Sequence, residues 1–142
     1  MTDDKYLYQV ENTESKMEQT LYEQLGGAPF FEKLVSGFYE GIKTDPVLRP
    51  MYPEENLDGA IHRLSMFLSQ YWGGPTTYSE ERGHPRLRMR HNVFPIDGDA
   101  RDRWLGHMSA SLSKLEIEPH LKDQLWTYLV TAAHSLVNQP DN

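Results

Sequence analysis

The stretch that decides the fold class is APFFEKLVSGFYEGIK, residues 28 to 43. Its apolar residues recur at helical spacing, at Phe31, Leu34, Val35, Phe38, Tyr39 and Ile42. Gly26-Gly27 and Pro29 are typical of a helix start, and Thr44-Asp45-Pro46 is typical of a helix end. The pattern predicts an amphipathic helix over residues 28 to 43, with one face buried in a core.

Three further stretches predict helices, at residues 54–72, 99–116 and 119–137. On the first of them, the predicted buried face carries Leu57, Ala60, Ile61, Leu64, Phe67, Leu68 and Tyr71. Prolines 46, 50 and 53 force a bent connection before it, which places Tyr52 on a stiff corner. Residues 76–98 leave room only for short helical pieces, and no stretch alternates as a strand does. The fold class is therefore all-α, with four main helices in two pairs.

Composition excludes several classes of protein. The 142 residues carry a net charge of −7, which argues against a general nucleic-acid or anionic-membrane binder. The absence of cysteine excludes disulfides, thiol nucleophiles and cysteine metal sites. No apolar run approaches the ~20 residues of a membrane span. The chain starts without a signal peptide pattern, so the cytoplasm is the expected location.

The first 20 residues differ from the rest of the chain. They hold five acidic residues against two lysines, and their few apolar residues show no sustained period. Such a segment buries too little to offset the entropy of ordering it. We expect residues 1–20 to form an acidic, flexible tail and residues 21–142 to form the folded domain.

One local positive patch interrupts this acidic chain. Four of the eight arginines lie between residues 82 and 90, and no acidic residue occurs from there to Ile96. A solvated basic loop explains this composition, and so does a site for an anionic ligand, since arginine matches carboxylate geometry. A nucleic-acid contact is a weaker third alternative. His91 ends the patch, and by itself a lone loop histidine is more often a surface residue than a metal ligand.

Four ordered motifs together resemble the group II, or O-type, truncated haemoglobins. They are Phe38-Tyr39-Glu40, Val47-Leu48-Arg49-Pro50-Met51-Tyr52-Pro53, Met66-Phe67-Leu68-Ser69-Gln70-Tyr71-Trp72-Gly73-Gly74-Pro75 and Arg82-Gly83-His84-Pro85-Arg86-Leu87-Arg88-Met89-Arg90-His91, followed by Arg101-Asp102-Arg103-Trp104. The resemblance covers about residues 21–138. It implies a two-over-two helical sandwich around haem b, so that residues 21–142 are a truncated globin domain.

The resemblance assigns the haem site residue by residue. It implies that His91 is the proximal ligand of the haem iron. It also implies that Tyr39, Tyr52 and Trp104 form a polar triad on the opposite, distal side. Taken singly, each of these three aromatics is typical of a core residue whose polar atom finds a buried partner.

The remaining site residues follow from the same resemblance. Leu64 and Phe67 are expected as apolar walls of the distal pocket. Ala60 stands where oxygen-storing globins usually have a distal histidine, which opens the pocket. Arg63 and Arg90 are the candidates for the haem propionates.

The function that the resemblance implies is binding of dioxygen and other diatomic gases. Dioxygenation of nitric oxide and peroxidase-type oxidation are both open, and turnover needs electrons from a reductase that the sequence does not identify. A dedicated oxygen carrier fits less well, because three donors around the gas should slow its release. The alternative is a haem-free helical module for protein interaction. A homo-oligomer is an open alternative to a monomer.

Overall fold

The protein is all-α in the computed structural model, which describes residues 19–83, 91 and 94–139. The described part of the chain forms six α-helices and no strand. They are α1 (Leu21–Leu25), α2 (Ala28–Ile42), α3 (Asp58–Tyr71), α4 (Thr77–Arg82), α5 (Gly98–Leu112) and α6 (Pro119–Ser135), with a 3₁₀ turn at Arg49–Met51 between α2 and α3. The predicted fold class is confirmed. Of the tail predicted at residues 1–20, residues 1–18 lie outside the described residues.

All four predicted helices are present, and two of them have ends that local hydrogen bonds move. Helix α3 begins at Asp58 rather than at residue 54, because the Asn56 side chain accepts from the Asp58 N–H at 2.7 Å and turns the chain there. Helix α5 ends at Leu112 rather than at residue 116. The N–H groups of Lys114 and Leu115 bond three residues back, which tightens the chain out of the α-helix.

Helix α2 lies at the centre of the molecule and packs against both α3 and α5, while α5 also packs on α6. Its predicted buried face is confirmed, since Phe31, Leu34, Val35, Phe38 and Ile42 have no exposed surface. The helices therefore form the two pairs α2–α3 and α5–α6, joined through the contact of α2 with α5.

The contact between α2 and α5 depends on two glycines. A Cβ atom built on Gly37 would collide with the Ser111 side chain, and one built on Gly41 would collide with the His107 ring. Without those atoms the helices approach closely enough for Ser111 Oγ to donate to the Leu34 carbonyl at 2.7 Å. Glycine lowers the helix propensity of α2 at these two positions, and the close packing that it allows offsets this loss of stability.

Near the carboxyl end of α3 the structure corrects one prediction. Tyr71, predicted on the buried face, is 53% exposed. It is the last residue of α3, so its side chain extends past the layer that the rest of the face covers. Helix α1 packs close by, where the Tyr22 N–H donates to the Trp72 carbonyl at 2.9 Å.

The helices of the described residues are all too short or too polar to cross a membrane.

Candidate functional site

A cavity of about 350 Å³ lies between the two helix pairs, which is within the ~300–1,000 Å³ usual for ligand pockets. Eight of the nine predicted site residues line it: Tyr39, Tyr52, Ala60, Arg63, Leu64, Phe67, His91 and Trp104. The ninth, Arg90, lies outside the described residues. The fold therefore brings together side chains from α2, α3, α5 and the loops between them.

Tyr39, Tyr52 and Trp104 form one polar cluster in this cavity. The rings of Tyr39 and Tyr52 meet edge to face with centroids 5.3 Å apart. Trp104 lies next to them, since the Phe38 ring meets Tyr39 edge to face at 4.9 Å and Trp104 edge to face at 5.1 Å.

Both phenols of this cluster keep their protons at neutral pH. Burial raises the pKa of Tyr39, and the neighbouring Tyr52 raises it further. Burial also raises the pKa of Tyr52, against the opposing effect of the hydrogen bonds from Tyr39 and Trp104. The cluster therefore presents donors and no phenolate to a ligand.

The corner that carries Tyr52 is held by one arginine. The Arg49 guanidinium donates to the Tyr52 carbonyl at 2.6 Å, to that of Glu54 at 2.8 Å and to that of Glu55 at 3.1 Å. A planar guanidinium with several N–H groups suits this task, since it can bind three diverging carbonyls at once. Arg49 thus fixes the backbone from which the Tyr52 ring enters the cavity.

A second anchor for this corner is Asp45, which the sequence identified only as part of a helix end. Its buried carboxylate accepts from the N–H groups of Val47 and Leu48 at 2.9 and 3.0 Å. It also binds His107 Nε2 at 2.7 Å and Arg103 at 3.2 Å, both on α5. This contact between Asp45 and α5 was not predicted from the sequence.

The charge of Asp45 is stabilised by these partners. Burial by itself raises the pKa of this carboxyl, but the hydrogen bonds from His107, Leu48 and Val47 and the Arg103 charge outweigh burial and lower the pKa from 3.8 to about 2. The corner is therefore joined to α5 by an ionised carboxylate at neutral pH.

Among the described residues, three arginines line the cavity: Arg63, Arg82 and Arg101. Arg63 pairs with Glu54 at 3.1 Å and Arg101 with Asp102 at 2.9 Å. Arg63, Glu54 and Asp102 are each at least a third exposed, and such pairs are worth about 0–1 kcal/mol, so another anion can replace the acidic partner at little cost. Arg101 was not predicted as a site residue, although it stands in the motif that ends at Trp104.

His91 lines the cavity, and Asn138, just after the end of α6, bonds the chain that follows His91. The Asn138 amide donates to the Phe94 carbonyl at 3.0 Å, and its oxygen accepts from the Ile96 N–H at 2.9 Å. The Phe94 N–H in turn donates to the His91 carbonyl at 3.0 Å. These bonds tie Phe94 and Ile96 to the chain just after α6.

The lining of the cavity fits a haem group. The side of α6 that faces the cavity is largely apolar and carries Tyr128, Leu129, Ala132, Ala133 and Leu136. An apolar macrocycle with two carboxylates needs an apolar slot, cations for the carboxylates and an imidazole for the metal. The cavity offers all three in Leu129 and its neighbours, in the arginines and in His91.

Comparison with known proteins identifies the family. The model of the bacterial-like globin family matches residues 20–138. The group 2 truncated haemoglobin YjbI of Bacillus subtilis is 37% identical over 120 residues, which is 84% of this chain and 89% of that protein. The crystal structure of a thermostable haemoglobin from Thermobifida fusca is 58% identical with a TM-score of 0.84, over 87% of this chain and all of that one.

A third similar structure is that of a truncated oxygen-avid haemoglobin from Bacillus subtilis. It is 35% identical to this chain with a TM-score of 0.79, over 84% of this chain and all of that one.

The chain belongs to the bacterial-like globin family. The resemblance to group II truncated haemoglobins, and with it the truncated globin fold, is confirmed. Globins of this family bind haem with its iron, so haem is the cofactor, and they bind diatomic gases. This favours a haem protein over the haem-free interaction module that the sequence left open.

Proposed function

We propose that this truncated haemoglobin binds dioxygen and other diatomic gases and uses them in redox chemistry, either dioxygenation of nitric oxide or peroxidase-type oxidation. The observation that carries the proposal is the shared cavity: His91 and the cluster of Tyr39, Tyr52 and Trp104 all line it. When bound, haem supplies an iron with one coordination position for the protein and one for the gas. The oxygen-avid relative from Bacillus subtilis supports dioxygen as a ligand.

In this proposal His91 is the protein ligand of the iron. The segment after His91 is tied to Asn138, which limits how far the imidazole can move. Ala60 gives the cavity a methyl group where a longer polar side chain would compete with the gas. His62, two residues further on, is exposed and bonds Glu81 at 3.1 Å, so it does not compete either.

The cationic side chains of the cavity are proposed to hold the haem propionates. Arg63, predicted for this role, lines the cavity together with Arg101. Both bind carboxylates already, in Glu54 and Asp102, and a propionate offers the same chemistry. Arg90 remains a prediction.

Tyr39, Tyr52 and Trp104 are proposed to discriminate between gases, with Leu64 and Phe67 as apolar walls. Ferrous haem would give dioxygen more negative charge than carbon monoxide, so hydrogen-bond donors from these three side chains would stabilise dioxygen more. The raised pKa values of both tyrosines keep these donors protonated. Turnover also requires electrons from a reductase.

Substitution of Trp104 tests the role of the cluster. Trp104→Phe keeps most of the ring and removes the indole N–H. A hydrogen bond to a partly charged oxygen is worth about 1.5–3 kcal/mol, and about 1.4 kcal/mol is tenfold, so dioxygen dissociation should accelerate roughly ten- to a hundredfold. Carbon monoxide dissociation should accelerate less, as stopped-flow measurements of both gases would show.

Trp126→Phe is the matched control for this experiment, because Trp126 is also partly buried in the core but does not line the cavity. It should leave both dissociation rates unchanged. Equal acceleration of both gases in Trp104→Phe would show a steric gate in place of a hydrogen bond. No change for either gas would remove Trp104 from the proposed site.

Substitution of His91 tests the ligand of the iron. His91→Ala should lose stable haem binding, or bind haem only when imidazole is added, as read from the Soret band. His62→Ala removes an exposed histidine outside the cavity and should keep the spectrum of the natural sequence. A normal ferrous spectrum of His91→Ala without imidazole would contradict the assignment.

A further inference from the structure

A pair of stacked tyrosines connects the cavity to the surface. Tyr128 on α6 lines the cavity. Its ring stacks on that of Tyr71 with centroids 4.1 Å apart and planes 27° apart. Tyr71 is 53% exposed and is the single large hydrophobic side chain in the described part of the chain that is so open to solvent. One ring contact therefore spans the wall between the haem cavity and water.

Trp72 packs against both tyrosines of this pair. Its ring meets Tyr71 edge to face at 5.3 Å and Tyr128 at 5.6 Å. Its indole nitrogen is buried without a hydrogen-bond partner. The cluster is thus packed through ring contacts, which fix the distance between the two tyrosines.

The two tyrosines differ in their access to water. Burial raises the pKa of Tyr128 to about 12, with a further contribution from Tyr71. Tyr128 therefore holds its proton at neutral pH, whereas the exposed Tyr71 can exchange a proton with solvent directly. A tyrosine that gives up an electron also gives up its phenolic proton, and at the exposed Tyr71 that proton reaches water directly.

We propose that Tyr71 is an entry site for electrons from small one-electron reductants, phenols in particular, and that Tyr128 passes these electrons to the haem cavity. The proposal rests on the proposed redox function. It adds a surface site, at a distance from the gas-binding cluster, where a reducing substrate is oxidised without entering the cavity.

The electrons and protons balance with hydrogen peroxide as the oxidant. One peroxide molecule takes up two electrons and two protons and leaves as two water molecules. When a tyrosine of the pair gives up one electron, its phenolic O–H releases a proton to solvent. The tyrosine is then a neutral tyrosyl radical. A phenol that meets the Tyr71 radical gives it an electron and a proton and restores the tyrosine.

The other tyrosines that the structure describes are poorly placed for this role. Tyr39 and Tyr78 are at most 5% exposed, so a reductant in solution does not reach their rings. Tyr52 packs on Tyr39 within the proposed gas-binding cluster, with ring centroids 5.3 Å apart. Tyr22 stacks on Phe31 and lies outside the cavity lining. Tyr71 and Tyr128 together combine exposure with contact to the cavity.

Radical trapping tests the proposal on the haem-loaded protein. The natural sequence and the variants Tyr71→Phe, Tyr128→Phe and Tyr22→Phe would react with hydrogen peroxide in the presence of 2-methyl-2-nitrosopropane, which adds to tyrosyl radicals. Peptide mass spectrometry then locates the adduct. Each phenylalanine keeps the ring and its packing and removes only the oxidisable O–H.

We expect the adduct on Tyr71 in the natural sequence and in Tyr22→Phe. Tyr128→Phe should lose most of the adduct on Tyr71, because the relay is interrupted. Added guaiacol should suppress the adduct in the natural sequence, and peroxide-driven guaiacol oxidation should fall severalfold in Tyr71→Phe. Absence of the adduct from Tyr71, an equal adduct in Tyr128→Phe, or unchanged guaiacol oxidation in Tyr71→Phe would overturn the proposal.

Gas binding separates this proposal from the proposed function. Tyr71→Phe should bind haem and release dioxygen as the natural sequence does, since Tyr71 does not line the cavity. Normal gas binding without an adduct on Tyr71 would overturn the electron entry site alone. Loss of haem or dioxygen binding by the natural sequence would overturn both.

Discussion

The two halves of helix α5 use the same stripe of side chains in opposite ways. In the carboxyl-terminal half, His107 and Ser111 lie against two glycines of α2 and leave no space. In the amino-terminal half, Ala100 and Trp104 line the cavity. The transition occurs within one turn, between Trp104 and His107.

Residue size explains the difference. Gly37 and Gly41 let the backbones approach at the closed half. Toward the amino-terminal half of α5, the rings of Phe38 and Trp104 meet edge to face at 5.1 Å and separate the two helices next to the cavity. The closed half stabilises the fold through packing and hydrogen bonds, so the open half can leave volume for a cofactor.

Loss of Asp45 should have the largest effect on the closed half. Asp45→Ala leaves the partly buried N–H of Val47 and the buried N–H of Leu48 without partners. Each unsatisfied group costs about 1–3 kcal/mol, so we expect a loss of about 2–6 kcal/mol in the free energy of unfolding. Urea unfolding of the haem-loaded protein measures it. Asp99→Ala is the control, since Asp99 binds the same Arg103 at an exposed position and should cost less than about 1 kcal/mol. Equal effects of the two variants would show that burial of Asp45 contributes nothing.

Acid should weaken the same anchor. The folded pKa of Asp45, about 2, lies below its ordinary value of 3.8, so its contribution to stability is complete above pH 3.8 and is lost as the pH falls toward 2. The shift corresponds to about 2 kcal/mol. Unfolding free energies from pH 5 to pH 2 should converge for the natural sequence and Asp45→Asn as the pH falls. A constant difference across this range would contradict the assignment.

Replacing a glycine by alanine should lower the stability of the protein at one position and raise it at another, on two helices that face each other. Gly41→Ala places a methyl group against the His107 ring and displaces it from Asp45, at a cost of about 1–3 kcal/mol. Gly106→Ala lies on α5 with nothing within 4 Å, so it should stabilise the protein by about 0.5–1 kcal/mol. Thermal unfolding of both variants makes the comparison. Destabilisation by Gly106→Ala would mean that tight packing extends around α5 rather than lying on one side.

Much of the fold could be predicted because its signals are local. The spacing from Phe31 to Ile42 predicts both the helix and its buried face, and the structure confirms them. The start of α3 and the end of α5 were harder to predict from the sequence, because they depend on single hydrogen bonds around Asn56 and after Leu112. Tyr71 was misplaced because periodicity does not show where the covering layer stops.

The candidate site divides in the same way. The motifs named Tyr39, Tyr52, Trp104 and His91, and the structure places all four on one cavity. The motifs did not show what holds them there. Arg49 acts by donating to backbone carbonyls, and a sequence motif does not show which carbonyls lie within reach of a side chain. Asn138 likewise bonds the backbone near His91, from 47 residues away in the sequence.

The sequence by itself determined the helices, the family and the side chains available to haem, because helical periodicity and short motifs are written in neighbouring residues. Only the tertiary structure decided that Asp45 meets His107 across 62 residues, that Tyr71 reaches solvent and that Tyr128 stacks beneath it. Such contacts depend on how closely two helices approach and where they cross. That distance is set by the packing of the whole core, and no local stretch of sequence contains it.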